Sequence, residues 1–189
     1  AKYGADFDAA GLLHGKILRS PHAHAHIKSI DTRKAEALPG VKAIVTAKDF
    51  PYSDSDSLSV PDSEGVSVAV RYLQDNVLAR NKVLYKGHAI AAVAATSTHI
   101  AEEALSLIDV EYETLPAVLT APEGMNETAS LLHEDLRTLE LGKQTDQASN
   151  LAEHFQHSKG DVKKGFEEAD LVIEREFNTQ TVHQGYIEP

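Results

Sequence analysis

Residues 20–31 read SPHAHAHIKSID and place His22, His24 and His26 at every second position. On an extended strand, side chains at i, i+2 and i+4 share a face, so the three imidazoles would converge. Three converging imidazoles can hold zinc or copper. Against a metal stand Pro21, immediately before the first histidine, and the absence of a nearby cysteine or carboxylate that could orient the rings. Buried structural roles for His22 and His24, with ring nitrogens bonded to backbone or polar groups, are the simpler expectation. The trio His22, His24 and His26 remains the alternative.

Other local patterns fall short of a site. GLLHGKI has only three residues between Gly11 and Gly15, and Ile17 where a phosphate loop needs Ser or Thr. His133-Glu134 in HEDLR lacks the second histidine of a zinc-peptidase helix. Glu153, His154 and His157 in EHFQH could share a helix face, but they lie in the polar connection without a third strong ligand nearby, and a solvated surface is the expected reading. Asn126-Glu127-Thr128 fits a glycosylation sequon, which without a secretion signal carries no weight. No nucleophile–base arrangement can be chosen among 29 acids and ten histidines, because such sites are defined by geometry.

Composition narrows the classes. The chain has 189 residues, 42% hydrophobic and 25% charged, which is ordinary for one or two globular domains. With 18 basic and 29 acidic residues, the formal charge of −11 repels nucleic acid and anionic membrane surfaces, so neither is an expected partner. There is no cysteine, hence no disulfide, thiolate metal ligand or iron–sulfur cluster held by these residues. The longest apolar run, AIAAVAA at 89–95, is too short to cross a membrane, and the start carries no signal pattern. Ala1 in place of Met fits a trimmed or internal start.

The elements that would position these residues follow from periodicity. Strands are expected over 12–19, 25–30 and 41–46. Asp31 is expected to cap a short helix that Pro39-Gly40 ends, and Thr46 with Asp49 to form a capping box. The Ser- and Asp-rich stretch 51–68 reads as an exposed loop. The uninterrupted run 89–95 predicts a strand covered on both faces. Ile100, Ala101, Ala104, Leu105 and Ile108 mark the buried stripe of a helix over 97–108. DVEYETLPAV (109–118) follows as a strand with Val110 and Tyr112 on one side, completing a strand–helix–strand unit. Residues 124–160 read as a polar surface connection, 160–170 as a short helix capped by Asp161, and 170–180 as a strand with Leu171, Ile173 and Phe177 on one face. The fold class is α+β, a mixed α/β arrangement of short helices against strands.

Three stretches resemble the opening of the molybdenum-binding large subunit of the xanthine dehydrogenase and aldehyde oxidase family. They are GLLHGKILRSPHAHAHIKSID with ALPGVKAIVTAKDFP, then NKVLYKGHAIAAVAATSTHIAEEALSLIDVEYETLPAV, then GDVKKGFEEADLVIEREFNTQTVHQGYIEP. Only 51–68 and 126–149 lie outside the resemblance. The family pattern carries the first two histidines but usually a basic residue such as arginine at position 26, so His26 is a substitution.

The resemblance implies the α/β hammerhead domain of molybdenum hydroxylases over 1–125, a polar connection over 126–159, and over 160–189 the start of a segment leading into a molybdopterin-binding domain. It implies a cytoplasmic parent oxidoreductase that hydroxylates aldehydes or nitrogen heterocycles with oxygen from water, using molybdenum–molybdopterin with iron–sulfur clusters and FAD on other domains or subunits. The parent would be a dimer of multi-subunit units. This stretch would dock those domains without binding a cofactor or turning over substrate alone, and no catalytic, cofactor-binding or metal residue is expected in it. Arg19, Pro21, His22, His24, Gly87, His183, Glu188 and Pro189 match family-motif positions and are expected to be structural; a base role for Glu188 is the weaker alternative. A free-standing binding or scaffold module of the same shape is the competing reading.

Overall fold

The small apolar residues at 89–95 form the middle strand of a three-stranded antiparallel sheet. In this computed structural model the described residues are 3, 6–53, 59–61, 67–182 and 185. In chain order the elements are β1 (His14–Arg19), β2 (Ala25–Asp31), α1 (Arg33–Glu36), β3 (Val41–Thr46), a 3-10 turn (Ala47–Asp49), β4 (Ser59–Pro61), β5 (Ser67–Ala69), α2 (Val70–Val77), β6 (Lys82–Val83), β7 (Ala89–Ala95), α3 (Thr98–Leu107), β8 (Asp109–Thr114), α4 (Ala121–Gly124), β9 (Arg137–Glu140), β10 (Lys143–Ala148), β11 (Glu153–His154) and α5 (Val162–Glu167).

The strands form sheets ordered β1–β7–β3, β6–β2–β8 and β10–β9–β11, with β4 paired to β5. The main core lies where α3 covers one face of β7. Ala91, Val93 and Ala95 alternate into that face and meet Ala101, Ala104 and Ile108 of the helix end, with Ala35 of α1 alongside. Alanine on both partners lets helix and sheet approach closely. The Ser97 side chain starts α3 by accepting from the Ile100 amide at 3.2 Å. A second cluster, Ala25, Ala79, Val83 and Ile90, shares Ile30 and Val110 with the first, so the two sheets enclose a continuous interior.

The strand–helix–strand unit 89–114 is present, with the difference that its strands belong to separate sheets. The helix carries the chain from one sheet to the other. The stripe on α3 and the inward Val110 and Tyr112 agree with expectation, as do the Thr46–Asp49 capping box and the Asp161 cap of α5.

Five expectations are corrected. Asp31 is the last residue of β2, opposite Asp109, and Thr32 takes the N-cap of α1; Asp31 instead accepts from the Arg33 amide and guanidinium. Strand pairing to β8 outcompetes the cap. The strand expected over 109–118 ends at Thr114, where Pro116 follows. The stretch 51–68 contains β4 and the start of β5. The polar stretch 124–160 contains β9, β10 and β11, paired by backbone ladders and tied to the loop before them by side-chain bonds from Asn150 to Leu132 and Ser130. Residues 170–180 form no ladder; Leu171, Ile173 and Phe177 are exposed, Phe177 by 85%, because no described sheet edge receives them.

Candidate functional site

Strand β2 begins at Ala25, so only His26 of the three histidines sits in the regular alternation. The other two occupy the bend before it and take different partners. The Ser20 hydroxyl accepts from the His22 amide and donates to the His22 carbonyl, each at 3.0 Å. The His22 ring stands edge-on to Tyr112 with centroids 4.9 Å apart. His24 is only 2% exposed, with Nδ1 2.8 Å from the Pro116 carbonyl oxygen. A carbonyl can only accept, so Nδ1 carries the hydrogen, and the buried Nε2 has no hydrogen-bond partner among the described residues. His26 Nε2 lies 3.7 Å from Glu134 Oε1. Three rings thus serve three separate contacts, and the convergence that the i, i+2, i+4 spacing allows does not occur. Among the described residues no group of three or more His, Asp or Glu could hold a metal ion.

The remaining motif positions form a clasp between the end of β1 and the turn before β7. Arg19 Nη1 donates to the Gly87 carbonyl at 2.9 Å, the Gly87 amide to the Ser20 carbonyl at 2.9 Å, and the Ser20 amide to the His88 carbonyl at 2.9 Å. Gly87 turns with φ +90°, a conformation that favours glycine. Pro21 sits exposed just beyond the clasp. His183, Glu188 and Pro189 lie outside the described residues.

His88 is a buried bracing residue that no motif in the sequence marks. It is fully buried, its Nδ1 accepts from the Leu84 amide at 3.2 Å, and its Nε2 therefore donates to the Asp75 carbonyl at 2.9 Å. Tyr85 stacks on the ring at 4.5 Å. Burial pushes the His88 pKa down, which keeps the ring neutral with this tautomer. The signal was present all the same: a histidine standing between Gly87 and the apolar run 89–95.

The polar groups that do gather line a cavity of about 260 Å³ between β6, α2 and the loop before β9, with His26, Tyr52, Asp75, Lys82, His133 and Glu134 in its wall. Here His133-Glu134 takes its place. Lys82 Nζ lies 2.8 Å from Glu134 Oε1 and donates to the Leu131 carbonyl at 3.1 Å. The Tyr52 hydroxyl donates to Asp75 Oδ2 at 3.2 Å, and Arg71 pairs with Asp135. Tyr72 meets the His133 ring edge-on at 4.6 Å. Burial raises the Asp75 pKa, partly offset by the Tyr52 bond, and lowers that of His133, while the Lys82 ammonium holds Glu134 below its usual range. The cavity can take a small polar molecule or water, yet each carboxylate in it already has an ammonium, guanidinium or hydroxyl partner.

The other candidates are dispersed. His14 to Ile17 lie within β1, which follows a turn at Gly11, so the second half of GLLHGKI is strand rather than phosphate loop. Glu153 and His154 are consecutive residues of β11, and His154 Nδ1 pairs with Glu140 Oε1 at 2.7 Å, which removes the helix face. The Asn126 side chain accepts from Thr128 at its amide and hydroxyl and closes a turn.

Comparison with known proteins gives this geometry a family. Residues 1–116 match the family described as aldehyde oxidase and xanthine dehydrogenase, a/b hammerhead domain. The chain is 36% identical over 187 residues to a probable xanthine dehydrogenase subunit of Bacillus subtilis, covering 99% of this chain and 22% of that protein. It is 34% identical over 193 residues to the carbon monoxide dehydrogenase large chain of Afipia carboxidovorans, covering 98% and 22%. Among solved structures, CO dehydrogenase from Oligotropha carboxidovorans superposes with a TM-score of 0.59 at 40% identity over 72% of this chain and 16% of that one. Quinoline 2-oxidoreductase from Pseudomonas putida 86 does so with a TM-score of 0.56 at 36% identity over 71% and 16%. The chain spans about a fifth of the length of the curated relatives it matches.

Proposed function

Because the chain belongs to the aldehyde oxidase and xanthine dehydrogenase family as an α/β hammerhead domain of the molybdenum hydroxylases, we propose that it is a structural and docking part of the molybdenum-binding large subunit of such an oxidoreductase. The parent enzyme hydroxylates an aldehyde or a nitrogen heterocycle, with water as the oxygen source. It acts in the cytoplasm as a dimer of multi-subunit units. Its chemistry comes from a molybdenum–molybdopterin group on later domains, and iron–sulfur and FAD domains or subunits carry the electrons away. Within this chain, 1–125 is the hammerhead domain, 126–159 a connection that builds its own small sheet, and 160–189 the lead into the cofactor-binding part.

The observation that carries this reading is the internal use of polar side chains. His24 holds Pro116, His88 spans from Leu84 to Asp75, and Lys82 and Arg71 neutralise Glu134 and Asp135. Each is a brace between elements. The described residues do not fit a resident molybdopterin: in the polar cavity Lys82 is already paired with Glu134, and Arg71 beside it with Asp135, so neither cation is left to hold an anionic cofactor. No reaction step is therefore assigned to these residues. The same internal closure also favours a second reading, a free-standing module that keeps the hammerhead shape without catalysis.

The mass and molybdenum content of the natural gene product separate the two. A polypeptide several times longer than 189 residues that carries molybdenum supports the enzyme-domain reading. A product ending at Pro189 without molybdenum supports the free-standing module.

A further inference from the structure

The two main sheets treat solvent differently. On the β6–β2–β8 sheet the outward residues are polar: Ser29 donates to Glu111, and Lys28 pairs with Glu113. That is the alternation expected of an antiparallel sheet with one wet face. The β1–β7–β3 sheet lacks it. Residues directly opposite in an antiparallel ladder share a face. Lys16 and Ile44, opposite Val93, lie on the side of α3, where Lys16 Nζ reaches Glu102 at 2.8 Å. The opposite side therefore carries Ala94 flanked by Gly15 and Ala43, and Ala92 flanked by Ile17 and Val45. None of these six residues is polar, and Ile17 is 46% exposed.

The AIAAVAA run predicts a strand buried on both faces, and α3 covers only one. Ala91, Val93 and Ala95 are buried on the helix side; on the other, Ile90 at the start of the strand is buried against Ala25, Ala79 and Val83, whereas further along Ala92 and Ala94 are half-buried and Gly15, Ile17 and Ala43 exposed. Small residues on a flat sheet face admit close approach of another backbone with bulky apolar side chains.

We propose that this outward face is the docking face for the polypeptide beyond this chain in the same large subunit, and that an uncharged apolar surface of that polypeptide covers it. The inference rests on the enzyme-domain reading and specifies where its contact lies. Two observations choose the occupant. The relatives carry about four-fifths of their length outside the matched stretch, since the chain covers 22% of each. The face measures roughly 200 Å² from strand spacing and rise, well short of the roughly 800 Å² per partner that a stable separate interface needs. So small a patch holds its cover only when covalent linkage supplies the effective concentration.

The chain has no cysteine, which makes thiol footprinting direct. Ala43→Cys or Ile17→Cys places a thiol on this face, and Glu113→Cys places one on the wet face of the other sheet. Each is made in the 189-residue chain and in the full natural product, and maleimide labelling is followed peptide by peptide by mass spectrometry. The expected result is slowing of about tenfold or more at position 43 or 17 in the full product relative to the 189-residue chain, with position 113 labelling alike in both. Equal labelling at 43 and 17 in a full product that is longer and carries molybdenum overturns the inference while leaving the enzyme-domain reading standing. Protection already present in the 189-residue chain also overturns it, and assigns the cover to a second copy if the protection depends on concentration or to the chain's own residues if it does not. A natural product ending at Pro189 removes both the reading and the inference.

Discussion

His24 and Pro116 are joined by a hydrogen bond of 2.8 Å across 92 residues of sequence. Beside it the Leu115 amide donates to the His24 carbonyl at 2.9 Å. Together they fix the entrance of β2 to the exit of β8. A histidine that looked like a metal ligand is a brace between strands, and its value is measurable as stability.

His24→Ala removes a buried ring and leaves the Pro116 carbonyl without its donor. The expected cost is about 2–3 kcal/mol in urea unfolding at unchanged slope. A loss below about 0.5 kcal/mol, the range of an ordinary surface change, would show that the link carries no load.

Burial pushes the pKa of His88 and of His133 below the ordinary 6.5. The unfolded chain therefore takes up protons first as the pH falls. Stability from these two groups is fully present above about 6.5 and is lost as the pH drops from there through their folded-state values. Asp75, raised by burial, acts with the opposite sign in the acid range: its contribution is present below the ordinary 3.8 and lost as the pH rises through its folded value. Denaturant midpoints should fall just below pH 6.5, and His133→Asn should flatten part of that slope. A midpoint unchanged across this range would contradict the assignment.

Gly40 and Gly87 both adopt positive φ, at +99° and +90°. A Cβ at Gly40 would lie 2.7 Å from Ile100 Cδ1 and 2.8 Å from Thr96 Oγ1, whereas one at Gly87 would meet nothing within 4 Å. Gly87→Ala should cost about 1 kcal/mol of backbone strain alone, and Gly40→Ala about 2–3 kcal/mol. Thermal melts of the two variants should rank in that order; the reverse ranking would mean the α3 contact yields freely.

The Lys82 side chain is 12% exposed and Glu134 64%. Lys82→Met breaks both the ion pair and the bond to the Leu131 carbonyl, and should cost about 1–2 kcal/mol. Glu134→Gln leaves an exposed partner changed and should cost under about 1 kcal/mol. Chemical denaturation of the pair tests this asymmetry, and equal losses would refute it.

The strand–helix–strand unit 89–114 was legible because burial dictated its pattern: 89–95 is an uninterrupted apolar run, and on the helix Ala101 and Ala104 are inward with Glu102 and Glu103 between them. The β9–β11 sheet was not legible, because its strands RTLE and KQTDQA pair through backbone ladders and carry no apolar period, with Thr138 and Asn150 bonding to the connecting backbone. Leu171, Ile173 and Phe177 show the converse. Their alternation is that of a strand, but a strand exists only with a partner, and none is among the described residues. At the candidate site, spacing placed three histidines on one face, while the start of β2 at Ala25 left two of them in a bend. The clasp through Arg19 and Gly87 was marked by the family resemblance rather than by any local period, since its bonds join residues 68 apart.

On the proposed function, residues 1–189 shape and dock a molybdenum hydroxylase subunit without performing its reaction. The direct measurement is incorporation of labelled oxygen from water into an aldehyde or nitrogen heterocycle, with an artificial electron acceptor present. The full natural product with its partner subunits and the 189-residue chain alone are compared side by side. The expected outcome is hydroxylated product carrying water's oxygen from the first and none from the second. Turnover by the 189-residue chain alone would contradict it.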